Sequence, residues 1–134
     1  IIGWQLNTFS SLLSWFALQR NKHIKGYRKA IYSGFSTTIL SQLIGDLLQT
    51  RPDLSGVYQV SSEPISKFDL LVNLRDILRW KDIVIDADEQ FFCDRSLSSV
   101  RFSMATGWRP PTWDAMIQGL ASEWPDYAEL YRQK

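Results

Sequence analysis

Cysteine and histidine each occur once in the 134 residues, as Cys93 and His23. A single cysteine excludes a disulfide framework or a thiolate metal cluster within the chain, and makes a reducing, cytoplasmic setting the expectation. Charge of one sign is also missing, since 15 Lys and Arg stand against 14 Asp and Glu, for a net charge of +1. Without a broad positive field there is no footprint for nucleic acid or an anionic membrane surface, so any anion must be met by local groups. No apolar run reaches the roughly 18 to 20 residues of a bilayer span, and the N-terminus lacks the charged n-region of a signal peptide. The seven glycines, at 3, 26, 34, 45, 56, 107 and 119, are scattered. They form neither a P-loop nor the close cluster that lets a backbone approach a pyrophosphate, so no cofactor-binding residues are expected in the chain itself.

What is present fits one α/β unit over residues 1–134, 45% hydrophobic and 22% charged. Leu6, Phe9, Leu12, Leu13 and Phe16 recur at helical spacing and predict a first helix from Leu6 to Gln19. A short β-like run predicts a strand near Ala30–Tyr32. Ser36 or Thr37 then caps a helix carrying Ile39, Leu40, Leu43, Ile44, Leu47 and Leu48. "VYQVSS" reads as a short buried strand. In "PISKFDLL", Ser66 is an N-cap with Asp69 three residues on and Ile65 placed to staple against Leu70, so a helix to about Arg79 follows, with Leu70, Leu71, Leu74, Ile77 and Leu78 inward. "DIVIDAD" predicts another strand, and Ser98–Thr106 a short helix stopped by Gly107. Thr112 caps a last helix that Pro125 should interrupt. Alternation of this kind predicts a small, largely parallel sheet with flanking helices. Three strands are few for a free-standing doubly wound domain, and the opening Ile1-Ile2-Gly3-Trp4 reads as the interior of a longer protein.

Most polar groups have a plain structural reading. His23 lies in a basic loop with Lys22 and Lys25 and reads as a solvated surface histidine. Cys93 beside Phe92 reads as a buried structural thiol. Asp86, Asp88 and Glu89 match no calcium loop and read as a solvated strand end, so no metal site is expected. Most of the six tryptophans should be core, with Trp15, off the main apolar row of its helix, the candidate to stack on a nucleobase.

"CDRSLSSVRF" is the stretch with two readings. It follows a strand and precedes a helix, where α/β proteins bind ligands beyond a strand's carboxyl end. There the planar fork of Arg95 suits a phosphate, with serine hydroxyls as further donors. Alternatively Asp94 and Ser96 only cap the helix, and Arg95 pairs with Asp94.

Four stretches, "IIGWQL", "AIYSGFSTTILSQLI", "GVYQVSSEPISKFDLL" and "CDRSLSSVRFSMATGWRPPTW", together resemble the C-terminal, substrate-binding half of extended short-chain dehydrogenase/reductases, in particular the dTDP-4-dehydrorhamnose reductase-like and epimerase branch. The resemblance implies a substrate-binding lobe that closes over a Rossmann half and takes a nucleotide sugar as substrate. It implies Arg95 and Ser96 at or beside the diphosphate, Arg101 in support, and Ser33 and Gly34 in the turn facing the cleft. NAD or NADP would be the cofactor of the parent enzyme, which would be an oxidoreductase or epimerase. No tyrosine here is followed four residues later by lysine, so the family's catalytic residues are expected in the missing Rossmann half. The chain alone should be inactive, and its uncovered docking face should favour a homo-oligomer. A rival reading is a non-catalytic binding or regulatory module that offers its aromatic surface to a protein partner.

Overall fold

The computed structural model describes residues 1–7 and 10–132. Its elements are α1 (Leu12–Ala17), β1 (His23–Tyr32), α2 (Thr37–Thr50), β2 (Ile65–Ser66), α3 (Lys67–Ile77), β3 (Val84–Arg95), α4 (Val100–Thr106) and α5 (Trp113–Arg132). The order of helices and strands is the expected one. β1 is the middle strand of a three-stranded sheet, parallel to β3 and antiparallel to the two-residue β2. α3 lies against β1, and α5 packs on α3. Among the described residues, no helix is long and apolar enough to cross a membrane.

The core is where the helical periodicities converge. Leu13 and Phe16 of α1, Leu71 and Leu74 of α3, and Ile117 and Leu120 of α5 are fully buried. Beside them Trp124 is the centre of an aromatic cluster, its ring centroid 4.7 Å from Trp4, 4.9 Å from Trp80 and 5.4 Å from Tyr131. The Trp4 indole N–H donates to the Leu120 carbonyl at 2.8 Å, which lets this polar edge be buried without loss.

Several boundaries differ from expectation for physical reasons. The first helix starts at Leu12 behind the Ser11 cap, leaving Leu6 exposed, and Phe9 lies outside the described residues. β1 is ten residues long because its first half alternates exposed polar residues, held by pairing to β3, with the buried Ile24 and Gly26: His23 opens the strand instead of sitting in a loop. Lys25 meets Asp88 at 3.1 Å and Arg28 meets Glu89 at 3.3 Å, so the acidic residues of β3 answer the basic ones of β1. "VYQVSS" forms no strand; the Ser62 amide and the Ser61 and Ser62 hydroxyls bond to loops, and β2 comes only afterwards. α2 buries only Leu43, with Ile44 and Leu48 at 50% and 76% exposure, and Ile77 of α3 faces outward too. α5 runs through Pro125, which is exposed, so the carbonyl deprived of its helical N–H can turn to water. Trp124 before it and Tyr131 after it are anchored in the same aromatic cluster.

Two turns carry most of the local instruction. Ser66 Oγ accepts the Asp69 amide at 2.9 Å and donates to the Asp69 carboxylate at 2.6 Å, closing the start of α3. Asp82 ties the turn before β1 to the turn before β3, accepting Arg20 Nε at 2.7 Å and the amide of Asn21, a residue at φ 59, at 2.9 Å. The Arg20 hydrogen bond, with help from the Asn21 amide, pulls the Asp82 carboxyl from 3.8 down to about 2.

Ser66→Ala should lower the unfolding free energy by about 0.5–2 kcal/mol, read from the midpoint of chemical denaturation. An unchanged midpoint would mean that the cap contributes nothing. Asp82 has a depressed folded-state pKa, so its contribution is present above the unfolded value and is lost as pH falls from about 4 to about 2. Asp82→Asn should therefore be less stable than the wild type near neutrality, with the gap closing across that window in acid-unfolding curves. A gap independent of pH would contradict this.

Candidate functional site

Because β1 and β3 are parallel, their carboxyl ends lie at the same edge of the sheet, with Tyr32 level with Arg95. A cavity of about 410 Å³ opens there. Its floor is Ala30, Ile31 and Tyr32, and β3 adds Phe91, Cys93 and Arg95. Leu12, Leu70 and the N-terminal isoleucines complete an apolar wall, and Lys67 is the second cation. Among the described residues, no carboxylate lines it. Cys93 is half-buried in this wall rather than sealed in the core, and it is a free thiol.

The candidate residues fall into three groups. Arg95 is exposed, ends β3, lines the cavity and has no ion-pair partner among the described residues. Asp94 does not pair with it: the carboxylate accepts the Ser96 amide at 2.9 Å. That bond, with one from the Ser96 hydroxyl, holds the Asp94 carboxyl below its ordinary range. Ser96 thus closes a tight turn directly after Arg95 and fixes the angle at which the chain leaves the strand.

Ser33 and Gly34 do not line the cavity but hold its rim together. The Ser33 hydroxyl accepts the Leu97 amide at 2.8 Å, and its carbonyl accepts the Ser62 amide at 2.8 Å. Ser62 Oγ donates to the Gly34 carbonyl, and Ser61 Oγ to the Leu97 carbonyl, both at 2.8 Å. Serines therefore sew the loop after β1 to the loop after β3. At Gly34 a side chain would overlap the phenol of Tyr32, so glycine is required by close approach.

Arg101 acts elsewhere. Its Nη1 donates to the Val57 carbonyl at 3.1 Å, and its guanidinium lies 4.8 Å from the centre of the Tyr58 ring. It clamps the loop between α2 and β2, and it is not among the cavity-lining residues. Trp15 is half-buried against the core, with the Lys67 ammonium 5.2 Å from the centre of its ring.

Lys67 and Tyr32 are absent from the expected site. The Lys67 ammonium also lies 5.5 Å from the Tyr27 ring, and burial lowers its pKa. A signal was available: a cation in the first turn of a helix opposes the macrodipole, and "ISKF" puts one there. The Tyr32 hydroxyl is buried without a hydrogen-bond partner among the described residues, and burial raises its pKa. His23 is the expected surface histidine, 3.7 Å from Asp86.

No family model matches the chain, and no curated protein matches it. Solved structures do share its architecture, among them these two. RMD from Pseudomonas aeruginosa, complexed with NADPH, superposes with a TM-score of 0.64 at 20% identity, covering 90% of this chain and 44% of its own. The dTDP-glucose 4,6-dehydratase of Bacillus anthracis, in complex with NAD, gives 0.65 at 14% identity, covering 92% and 42%. The likeness shows the fold. The chain spans less than half the length of either protein.

Gly34→Ala should destabilise by about 1–3 kcal/mol, because the new methyl must displace the Tyr32 ring. The loss should shrink in a Tyr32→Leu background, where the obstacle is gone. Equal losses in both backgrounds, measured by thermal denaturation, would show that the two residues do not meet.

Proposed function

We propose that this chain is the substrate-binding portion of an NAD(P)-dependent nucleotide-sugar reductase of the dTDP-4-dehydrorhamnose reductase-like kind, and that Arg95 meets the diphosphate of the substrate. The observation that carries this reading is the cavity at the carboxyl end of the parallel strands. It has an apolar body, two cations and, among the described residues, no carboxylate. A ligand with an apolar or stacked body and an anionic linker matches that surface, and low-dielectric walls strengthen its contacts with charge. The fold is shared with proteins crystallised with NADPH and NAD, one of them named for a dTDP-sugar.

The role of each group follows from its placement. Arg95 supplies a planar two-hydrogen-bond fork from the end of a strand. Ser96 orients it through the Asp94 turn, and Arg101 supports the site at a distance by holding the 56–58 loop. Ser33 and Gly34 fix the rim, and Trp15, which is not among the cavity-lining residues, holds the Lys67 ammonium over its ring. The residues present do not fit a dinucleotide: Gly3, Gly26 and Gly34 make their close approaches to Thr37, Phe68 and Tyr32, and so give no open backbone cradle. The nicotinamide, which supplies hydride chemistry, and the proton relay are assigned to a Rossmann half. This half binds, orients and excludes water.

Calorimetric titration of dTDP-glucose tests the reading. Arg95→Ala should bind about ten- to a hundredfold more weakly, the worth of a charged hydrogen bond of about 1.5–3 kcal/mol. Arg95→Lys should recover part of the loss, since an ammonium keeps the charge but not the fork. Unchanged affinity in Arg95→Ala would overturn the assignment.

A further inference from the structure

We infer that Lys67 is a second anion-binding residue of this cavity, so that the ligand held there presents two negatively charged phosphate groups, one to Arg95 and one to Lys67. The inference rests on the reading of the cavity just given, and adds to it a partner residue and a charge count.

Lys67 is placed against its own electrostatic interest. It is the first residue of α3, where the helix dipole disfavours a cation. It is half-buried, and desolvation disfavours its charged form. No carboxylate pairs with it among the described residues; only the faces of Trp15 and Tyr27 approach the ammonium. Aromatic faces hold the group in position without neutralising it. A held, uncompensated cation at a cavity wall is the counterpart of an anion.

The sheet places the two cations on opposite sides of β1. Tyr32 pairs with Ile65 of β2 on one side and with Arg95 of β3 on the other, so these three residues form one row across the sheet. Neighbouring strands lie about 4.8 Å apart, which puts the backbones of Ile65 and Arg95 about 10 Å from one another. Lys67 follows Ile65 by two residues, and both its side chain and that of Arg95 reach the same cavity from opposite sides of β1. Two cations lining one cavity suit a dianion, as in a nucleoside diphosphate ester, better than a single phosphodiester.

Inorganic pyrophosphate, dimethyl phosphate and dTDP-glucose should be titrated into the wild-type chain, Lys67→Met and Lys67→Arg, with circular dichroism to confirm that each variant folds. The wild type should prefer pyrophosphate to dimethyl phosphate, and Lys67→Met should weaken pyrophosphate binding about tenfold while leaving dimethyl phosphate nearly unchanged. Lys67→Arg should retain most of the preference. Wild-type pyrophosphate affinity in a folded Lys67→Met, or no pyrophosphate binding by the wild type, overturns the inference and leaves Lys67 a packing cation. Lysine-dependent binding of pyrophosphate without any binding of dTDP-glucose would support the inference and overturn the nucleotide-sugar reading instead.

Discussion

The parallel ladder between β1 and β3 is the constraint from which the rest follows. Parallel strands need a long crossover, and here the chain between them contains α2, β2 and α3. Over its first half the ladder alternates, with Ile24 and Gly26 buried and the charged residues between them outward, so burial sets the face. Opposite charges reinforce the register: basic side chains along Lys25–Lys29 meet the acidic Asp88 and Glu89. Individually such exposed pairs are weak, but a one-residue slip would break the whole set. With register fixed, Tyr32 and Arg95 end level, Ser33 reaches the Leu97 amide, and the cavity has a floor and a charged edge.

How far this was legible in the sequence depended on whether one local rule acted alone. Ser36, Ser66 and Gly107 are helix boundaries in both readings, because a cap is a contact within three or four residues. β1 was read too short because its first residues carry charges whose partners lie about sixty positions away. "VYQVSS" has strand-forming residues but no neighbouring edge to pair with, since β2 takes the place beside β1. Pro125 breaks a helix locally, yet anchors on both sides of it overrule the local rule. The apolar rows of α2 gave a helix correctly, but periodicity says nothing of whether the apolar side is covered.

The same distinction holds at the site. Arg95 could be singled out because a strand end before a helix is a topological position that sequence order reveals. The serines near it look like anion donors in a linear reading, whereas Ser33, Ser61 and Ser62 spend their hydroxyls on loop carbonyls and amides far away in sequence. Lys67 escaped notice because Ser66 and Asp69 already explained their stretch as a capped helix. Its burial and its two aromatic neighbours come from α1 and β1, which the local pattern does not contain.

One irregularity of the ladder reaches beyond the site. Between the pairs Tyr27–Asp88 and Lys29–Phe92, Arg28 alone spans a stretch that on β3 takes three residues, and the Asp88 carboxylate accepts the amides of Gln90 and Phe91. β3 is the outer strand of the sheet, so its far side would otherwise offer an uninterrupted row of backbone donors and acceptors to any foreign strand. The bulge ties two amides to a carboxylate of the same strand and breaks the repeat in mid-strand. That interruption, with Asp86, Asp88 and Glu89 beside it, makes the outer strand a poorer template for fibrillar growth.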